Sequence, residues 1–185
     1  KSHQGGKIVL DGPWSYAVYD YIKSLGGIPI VTRVGHSYIA NAVFENDALM
    51  GGQYSGHICF SEFECSDDAI YSSLKMLEIL SSTDKRLSDL VSKIPLYETT
   101  RIKEIECADQ TKFLIIEKVA KIAKNRGYKI VQIDGVKIVT DDGWVLIRAS
   151  NTSPIIRVNA EGKSAYYAMK MQELGENLVK EVINQ

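Results

Sequence analysis

Hydrophobic runs and polar breaks alternate along the first half of the chain in a readable order. KIVL (7–10) is a short apolar run rich in β-branched residues and predicts a strand. After DGPWS, apolar positions recur at helical spacing through YAVYDYIKSLGG, with Val18, Ile22 and Leu25 on one face and Gly26 and Gly27 as the stop. IPIVTRV (28–34) predicts a second strand. Strand, helix and strand at this spacing form a βαβ-like unit, so a partly parallel sheet is expected. A short helical stretch near SYIANAVFEND comes next, then a glycine-rich turn GGQYSG (51–56) and a strand HICF. Ser66 reads as an N-cap, with Asp67 and Asp68 in the first turn of a long helix striped by Ile70, Leu74, Leu77 and Leu80. Leu87 to Ile94 suggests a further short helix, ended by Pro95.

The pattern restarts after Pro95. TTRIKEIEC alternates like an exposed edge strand, and DQTKFLIIEKVAKIAKNRG is an amphipathic helix ending at Gly127. YKIVQID, VKIVT, WVLIRA and IIRVNAE then read as strands joined by DG and DDG turns, before a closing helix over about 163–184. The expected organisation is an α/β domain with a mixed sheet over 1–96, followed by a smaller α+β domain with an antiparallel sheet over 97–185. No internal repeat interrupts this reading.

Charge narrows the functional classes. With 22 Lys+Arg against 23 Asp+Glu the net charge is -1, which argues against a sequence-independent nucleic-acid binder. No apolar run approaches the roughly 18 residues that span a bilayer. Cys59, Cys65 and Cys107 are an odd number without metal-like spacing, and they read as reduced thiols of a cytoplasmic protein.

Three stretches carry candidate chemistry. In DDGWVLIRASNTSPIIR, strand alternation puts Trp144, Leu146 and Arg148 on one face and Val145 and Ile147 on the other. Arg148 thus arrives at a strand end, followed by the hydroxyls of Ser150 and Thr152, the Asn151 amide and consecutive backbone N–H groups. A planar guanidinium beside such a turn matches a phosphate group. A polar hairpin loop with a solvated arginine accounts for the same residues. In GGQYSGHI (51–58), three glycines permit close backbone approach and the turn presents Gln53 and Ser55, with His57 just beyond. Such groups suit neutral sugar hydroxyls; a flexible turn before a strand is the simpler alternative. In TRVGHSYI (32–39), Arg33 and His36 flank a glycine at a strand end, where a histidine is most often a loop or cap residue. His36, His57 and Cys59 lack the local spacing of a zinc site, so no metal is assigned. There is no G-x-x-x-x-G-K-S/T loop, no G-x-G-x-x-G after the first strand, no G-x-S-x-G elbow, and no nucleophile–base pair to nominate as catalytic.

Taken in order, these stretches resemble the C-terminal half of an α-D-phosphohexomutase, the family of phosphomannomutases, phosphoglucomutases and phosphoglucosamine mutases. GGQYSGH resembles the family's sugar loop, G-E-x-S-G-H, and RASNTSPIIR its phosphate loop, R-P/A-S-G/N-T-x-P. VGHSYI, DDAI…LKMLEIL, IDGVKI and DGWVLIRAS fit as well, particularly to the archaeal-type enzymes. The likeness covers nearly all of residues 7–180 and implies the third and fourth of four domains. It implies that Gln53 and Ser55 contact sugar hydroxyls, that His57 and His36 line the cleft, and that Arg148, Ser150, Asn151 and Thr152 hold the phosphate not being transferred. The family interconverts hexose 6-phosphate and hexose 1-phosphate through a hexose 1,6-bisphosphate, using a phosphoserine and a Mg²⁺ carried by the first two domains.

Two departures matter. The serine loop T-A-S-H-N-P and the metal loop D-G-D-G-D-R are not among these residues, so the chain alone is expected to be inactive and to need N-terminal domains in cis or in trans. Gln53 stands where the family has Glu, which removes a negative charge and adds a donor. The alternatives are a sugar-phosphate-binding paralogue or subunit without turnover, and an interaction module that kept only the fold.

Overall fold

A computed structural model describes residues 4–184. The chain divides into two compact units, one ending at Leu96 and one beginning at Tyr97.

The first unit runs β1 (Lys7–Asp11), α1 (Tyr16–Ser24), β2 (Ile28–Thr32), α2 (His36–Glu45), β3 (Met50–Gly52), β4 (Ile58–Phe60), α3 (Ala69–Ser81) and α4 (Leu87–Val91). Its sheet has the order β2-β1-β3-β4, with β1 parallel to both β2 and β3 and β4 antiparallel to β3. The mixed sheet anticipated from the βαβ spacing is therefore present. Its core gathers Val9 of β1, Ile39 and Val43 of α2, Cys59 of β4 and Cys65.

Four local readings change. Gly51 and Gly52 belong to strand β3 rather than to a turn, because α2 lies against that strand: a Cβ on Gly51 would meet Ile39 Cγ2 at 2.3 Å. The turn itself is Gln53–Gly56, closed by Gly56 N–H to Gln53 O at 2.9 Å. The N-cap of α3 is Asp68, whose carboxylate accepts from Tyr71 N at 2.8 Å, and Ser66 lies upstream of the helix. Asp68 takes the cap because its extended backbone lets Oδ1 reach back over the first turn. The stripe on α3 does not face a core of this unit. No α3 residue is buried, and Ile70, Leu74 and Leu77 are exposed. Finally, Cys59 and Cys65 form a disulfide, where the odd count had suggested reduced thiols; the chain folds back after β4 and brings their Cα atoms to 4.5 Å. Cys107 is the free cysteine.

The second unit runs β5 (Glu98–Thr99), β6 (Lys103–Glu106), α5 (Lys112–Asn125), β7 (Lys129–Val131), β8 (Val136–Val139), β9 (Gly143–Ala149), β10 (Ile155–Gly162) and α6 (Ala165–Ile183). The sheet order is β5-β10-β9-β8-β7, antiparallel throughout, with β6 also pairing β10. The predicted single edge strand over TTRIKEIEC is thus two short ones. Thr100 bridges the interruption by donating its N–H to Ala160 O at 2.9 Å and accepting from Ala160 N at 3.1 Å on its hydroxyl. Val145, Ile147, Val158 and Ala160 are completely buried in one cluster with Val119 of α5 and Val179 of α6. Each of the valine and isoleucine side chains contributes about 1.5–3 kcal/mol of hydrophobic stabilisation. The same alternation leaves Arg148 off that core, at the end of β9.

Candidate functional site

In the first unit the Gln53–His57 turn is tied down on several sides. Trp14 Nε1 donates to Gly52 O at 3.0 Å, Tyr54 N donates to the Asp11 carboxylate at 3.0 Å, and Gln53 N donates to His57 O at 2.8 Å. Ser55 and His57 are exposed at its tip, whereas Gln53 is buried. Oriented by its hydrogen-bonding surroundings, the Gln53 amide places Oε1 toward Gly35 N at 3.1 Å and His36 N at 3.3 Å. These are the first N–H groups of α2, whose N-cap, Gly35, has no side chain to serve them. Gln53 is therefore the cap of α2. With two N–H groups on the carbonyl oxygen, the amide faces a ligand mainly as a donor, through Nε2.

Asp67 brings His36 and His57 together. Its Oδ1 lies 3.3 Å from His36 Nδ1 and its Oδ2 lies 3.0 Å from His57 Nδ1. A 3-10 turn at Ser61–Phe63, left-handed residues at Glu64 and Cys65, and a bridge from Asp67 to Cys59 carry the carboxylate back beside the turn. Its place in the sequence suggests only a helix-terminus role for Asp67, since no local spacing links a carboxylate to one histidine at a helix start and another in a turn. A carboxylate at Nδ1 favours the tautomer protonated there, leaving each Nε2 as an acceptor when the rings are neutral.

In the second unit, Arg148 Nη1 stands 3.9 Å from the Asp134 carboxylate, which comes from the turn between β7 and β8. Directly across the sheet is Arg157, whose Nε donates to Glu104 at 3.0 Å. Two arginines can face one another in register because each has its own carboxylate. After β9 the chain turns at 150–154. Ser150 is buried, its N–H donates to Ile155 O at 3.0 Å, and its Oγ accepts from Thr152 N at 3.4 Å. Asn151 and Thr152 are exposed. Beneath the turn lies Lys112, the first residue of α5, which is only 3% exposed. Its Nζ donates to Ser153 O at 3.2 Å and pairs with Asp109 at 2.6 Å. Reading the helix from its apolar stripe gave no hint of this lysine, because a cation at a helix start normally marks a solvated face.

Among the described residues no group of three or more His, Cys, Asp or Glu side chains is arranged to hold a metal ion, and no step is assigned to one on this chain. No described helix is long and apolar enough to cross a membrane.

A mixed α/β unit followed by an antiparallel α+β unit is the architecture of phosphohexomutase domains three and four. Residues 1–97 match the family model for the phosphoglucomutase/phosphomannomutase alpha/beta/alpha domain III, and residues 103–174 match the model for the C-terminal domain. The chain is 36% identical to a phosphoglucomutase/phosphomannomutase of Thermococcus kodakarensis, over 99% of this chain and 40% of that protein. It is 34% identical to a phosphomannomutase/phosphoglucomutase of Pseudomonas syringae pv. tomato, over 98% of this chain and 39% of the relative. A crystal structure of a family protein from Burkholderia thailandensis superposes with a TM-score of 0.84 at 26% identity, covering 96% of this chain and 38% of that one. The chain belongs to the phosphoglucomutase/phosphomannomutase family, a family of enzymes, and spans about 40% of the length of the relatives it matches.

Proposed function

We propose that this chain is the sugar- and phosphate-recognition half of a phosphohexomutase. In this reading the first unit takes sugar hydroxyls with Ser55, the Nε2 donor of Gln53 and the outward nitrogens of His57 and His36. The second unit takes the phosphate that is not transferred, with Arg148 as the fork and Ser150, Asn151 and Thr152 around it. The observation that carries the reading is the turn after β9: an arginine at a strand end leads directly into a short polar turn whose buried serine braces it. Charge-assisted hydrogen bonds to a phosphate contribute about 1.5–3 kcal/mol each, enough for a few of them to dominate binding.

The complete protein would interconvert hexose 6-phosphate and hexose 1-phosphate through the 1,6-bisphosphate, with the phosphoserine and Mg²⁺ supplied by N-terminal domains in cis or in trans, in the cytoplasm. This half alone binds without turnover. Gln53 in the place of the family's Glu favours one second reading, a sugar-phosphate-binding paralogue that does not convert its ligand.

Calorimetric titration of the purified chain with glucose 6-phosphate, mannose 6-phosphate, glucose 1,6-bisphosphate and unphosphorylated glucose tests the proposal. Phosphate-dependent affinity that Arg148→Ala abolishes is the expected outcome. Affinity indifferent to the phosphate, or mutase activity from this chain free of other enzymes, would overturn it.

A further inference from the structure

We infer that Lys112 is the buried cation of the phosphate turn, a positioning residue that holds the Ser153 carbonyl inward and adds positive charge beneath the bound anion. The inference rests on the phosphate reading above and concerns a residue outside the motif that suggested it.

Lys112 lies 41 residues before Ser153 and reaches it from the N-terminal end of α5. An ammonium group taken out of water costs several kcal/mol and persists only when it is paired and hydrogen-bonded. Its ion partner Asp109 is itself mostly solvent-exposed, and a lysine–aspartate pair at i and i+3 stabilises just as well at the surface, where both heads keep their water. An apolar side chain of similar volume would fill the same space with less desolvation. What the ammonium adds here is a second, charged donor to one carbonyl of the turn: Ser153 O accepts from Ile155 N at 2.9 Å and from Lys112 Nζ at 3.2 Å. The following carbonyl, Pro154 O, accepts from Cys107 N at 3.1 Å, which extends the β6–β10 pairing. Those two acceptors are engaged by protein donors, whereas the N–H groups of Asn151 and Ser153 have no protein acceptor among the described residues. A turn whose carbonyls are engaged by the protein and whose N–H groups are not is the backbone arrangement that receives an anion. Asp109 partly neutralises the ammonium, so the pair also sets how positive the floor of the turn is.

The test uses the 185-residue chain, glucose 6-phosphate and glucose, followed by calorimetry and by the amide resonances of residues 151–153. Lys112→Met should weaken glucose 6-phosphate about tenfold while leaving any affinity for glucose unchanged, and Lys112→Arg should restore most of the loss. Asp109→Asn, which keeps an amide oxygen as hydrogen-bond acceptor for Lys112 Nζ while removing the negative charge, should strengthen glucose 6-phosphate binding and steepen its dependence on salt. That gain separates an electrostatic role from a merely structural one, and it is available even if Lys112→Met fails to fold. The inference is overturned if Asp109→Asn binds no more tightly than wild type, or if a folded Lys112→Met binds as wild type does while Arg148→Ala does not. Loss of neither variant's phosphate affinity would instead overturn the phosphate reading itself.

Discussion

Asp67 Oδ2 stands 3.0 Å from Nδ1 of His57, and the two residues meet only because the segment between them reverses direction after β4. The other carboxylate oxygen reaches His36, so one acidic side chain orients two rings, one at the start of α2 and one in the turn before β4. Both rings are about half exposed, and an exposed pair of this kind is worth about 0–1 kcal/mol. Its effect on stability is therefore small, while its effect on which ring nitrogen carries the proton is large.

Replacing Asp67 by Asn should show that difference. In a unit that ends at Leu96, we expect the melting temperature to move by no more than about 4–8 °C. Two-bond nitrogen–proton spectra, recorded where the rings are neutral, should change from Nδ1-protonated histidines to a tautomer mixture for at least one of them. An unchanged tautomer pattern would remove the orienting role from Asp67.

Gln53 is predicted to matter for the fold as much as for any ligand. Gln53→Ala strips the acceptor from two N–H groups at the start of α2 and should cost about 1–3 kcal/mol in denaturant unfolding. Gln53→Glu keeps both hydrogen bonds. Above the carboxylate's titration range it also places a negative charge at a helix N-terminus, worth about 0.3–1 kcal/mol before its desolvation is subtracted. If Gln53→Ala unfolds at the same denaturant concentration as wild type, the capping role is wrong.

Gly51→Ala should destabilise the first unit by about 1–3 kcal/mol, since the new methyl enters the space of Ile39 Cγ2 and approaches Val43. Ile39→Ala removes the Cγ2 methyl that the new Cβ would meet. The double variant should therefore be more stable than the sum of the two single changes predicts, a coupling that thermal melts of the four proteins would measure.

The cysteines separate by reactivity. Without reductant, the folded chain should present one titratable thiol, Cys107, and three after reduction and unfolding. Burial pushes the Cys107 thiol up from its ordinary range, with Asp109 adding to the rise and Lys112 opposing it. A raised value means less thiolate at neutral pH, so alkylation should be slower there than for free cysteine and should accelerate as pH rises. Three thiols titrating without reductant would contradict the Cys59–Cys65 bond.

Much of this molecule was legible from residue order alone. Period-two alternation in WVLIRA and period-3.6 alternation in KFLIIEKVAKIAK report which atoms must leave water, and burial of Val145, Ile147 and Val119 follows from that requirement wherever the elements go. The same alternation put Arg148 at a strand end beside a polar turn, and the motif order pointed to the family. What sequence patterns could not decide were relations between residues far apart in the chain. GGQYSG signals a turn by its glycines, yet Gly51 is a strand residue, because only the approach of α2 reveals what the missing side chain makes room for. Asp67 resembles a helix-terminal acid until the chain folds back and sets it between His36 and His57. Lys112 resembles a solvated helix residue until the turn after β9 closes over it. Hydrophobic periodicity is a property of neighbours along the chain. The placement of a carboxylate between two imidazoles, or of an ammonium under a carbonyl, depends on distances of a few ångströms that tertiary packing alone decides.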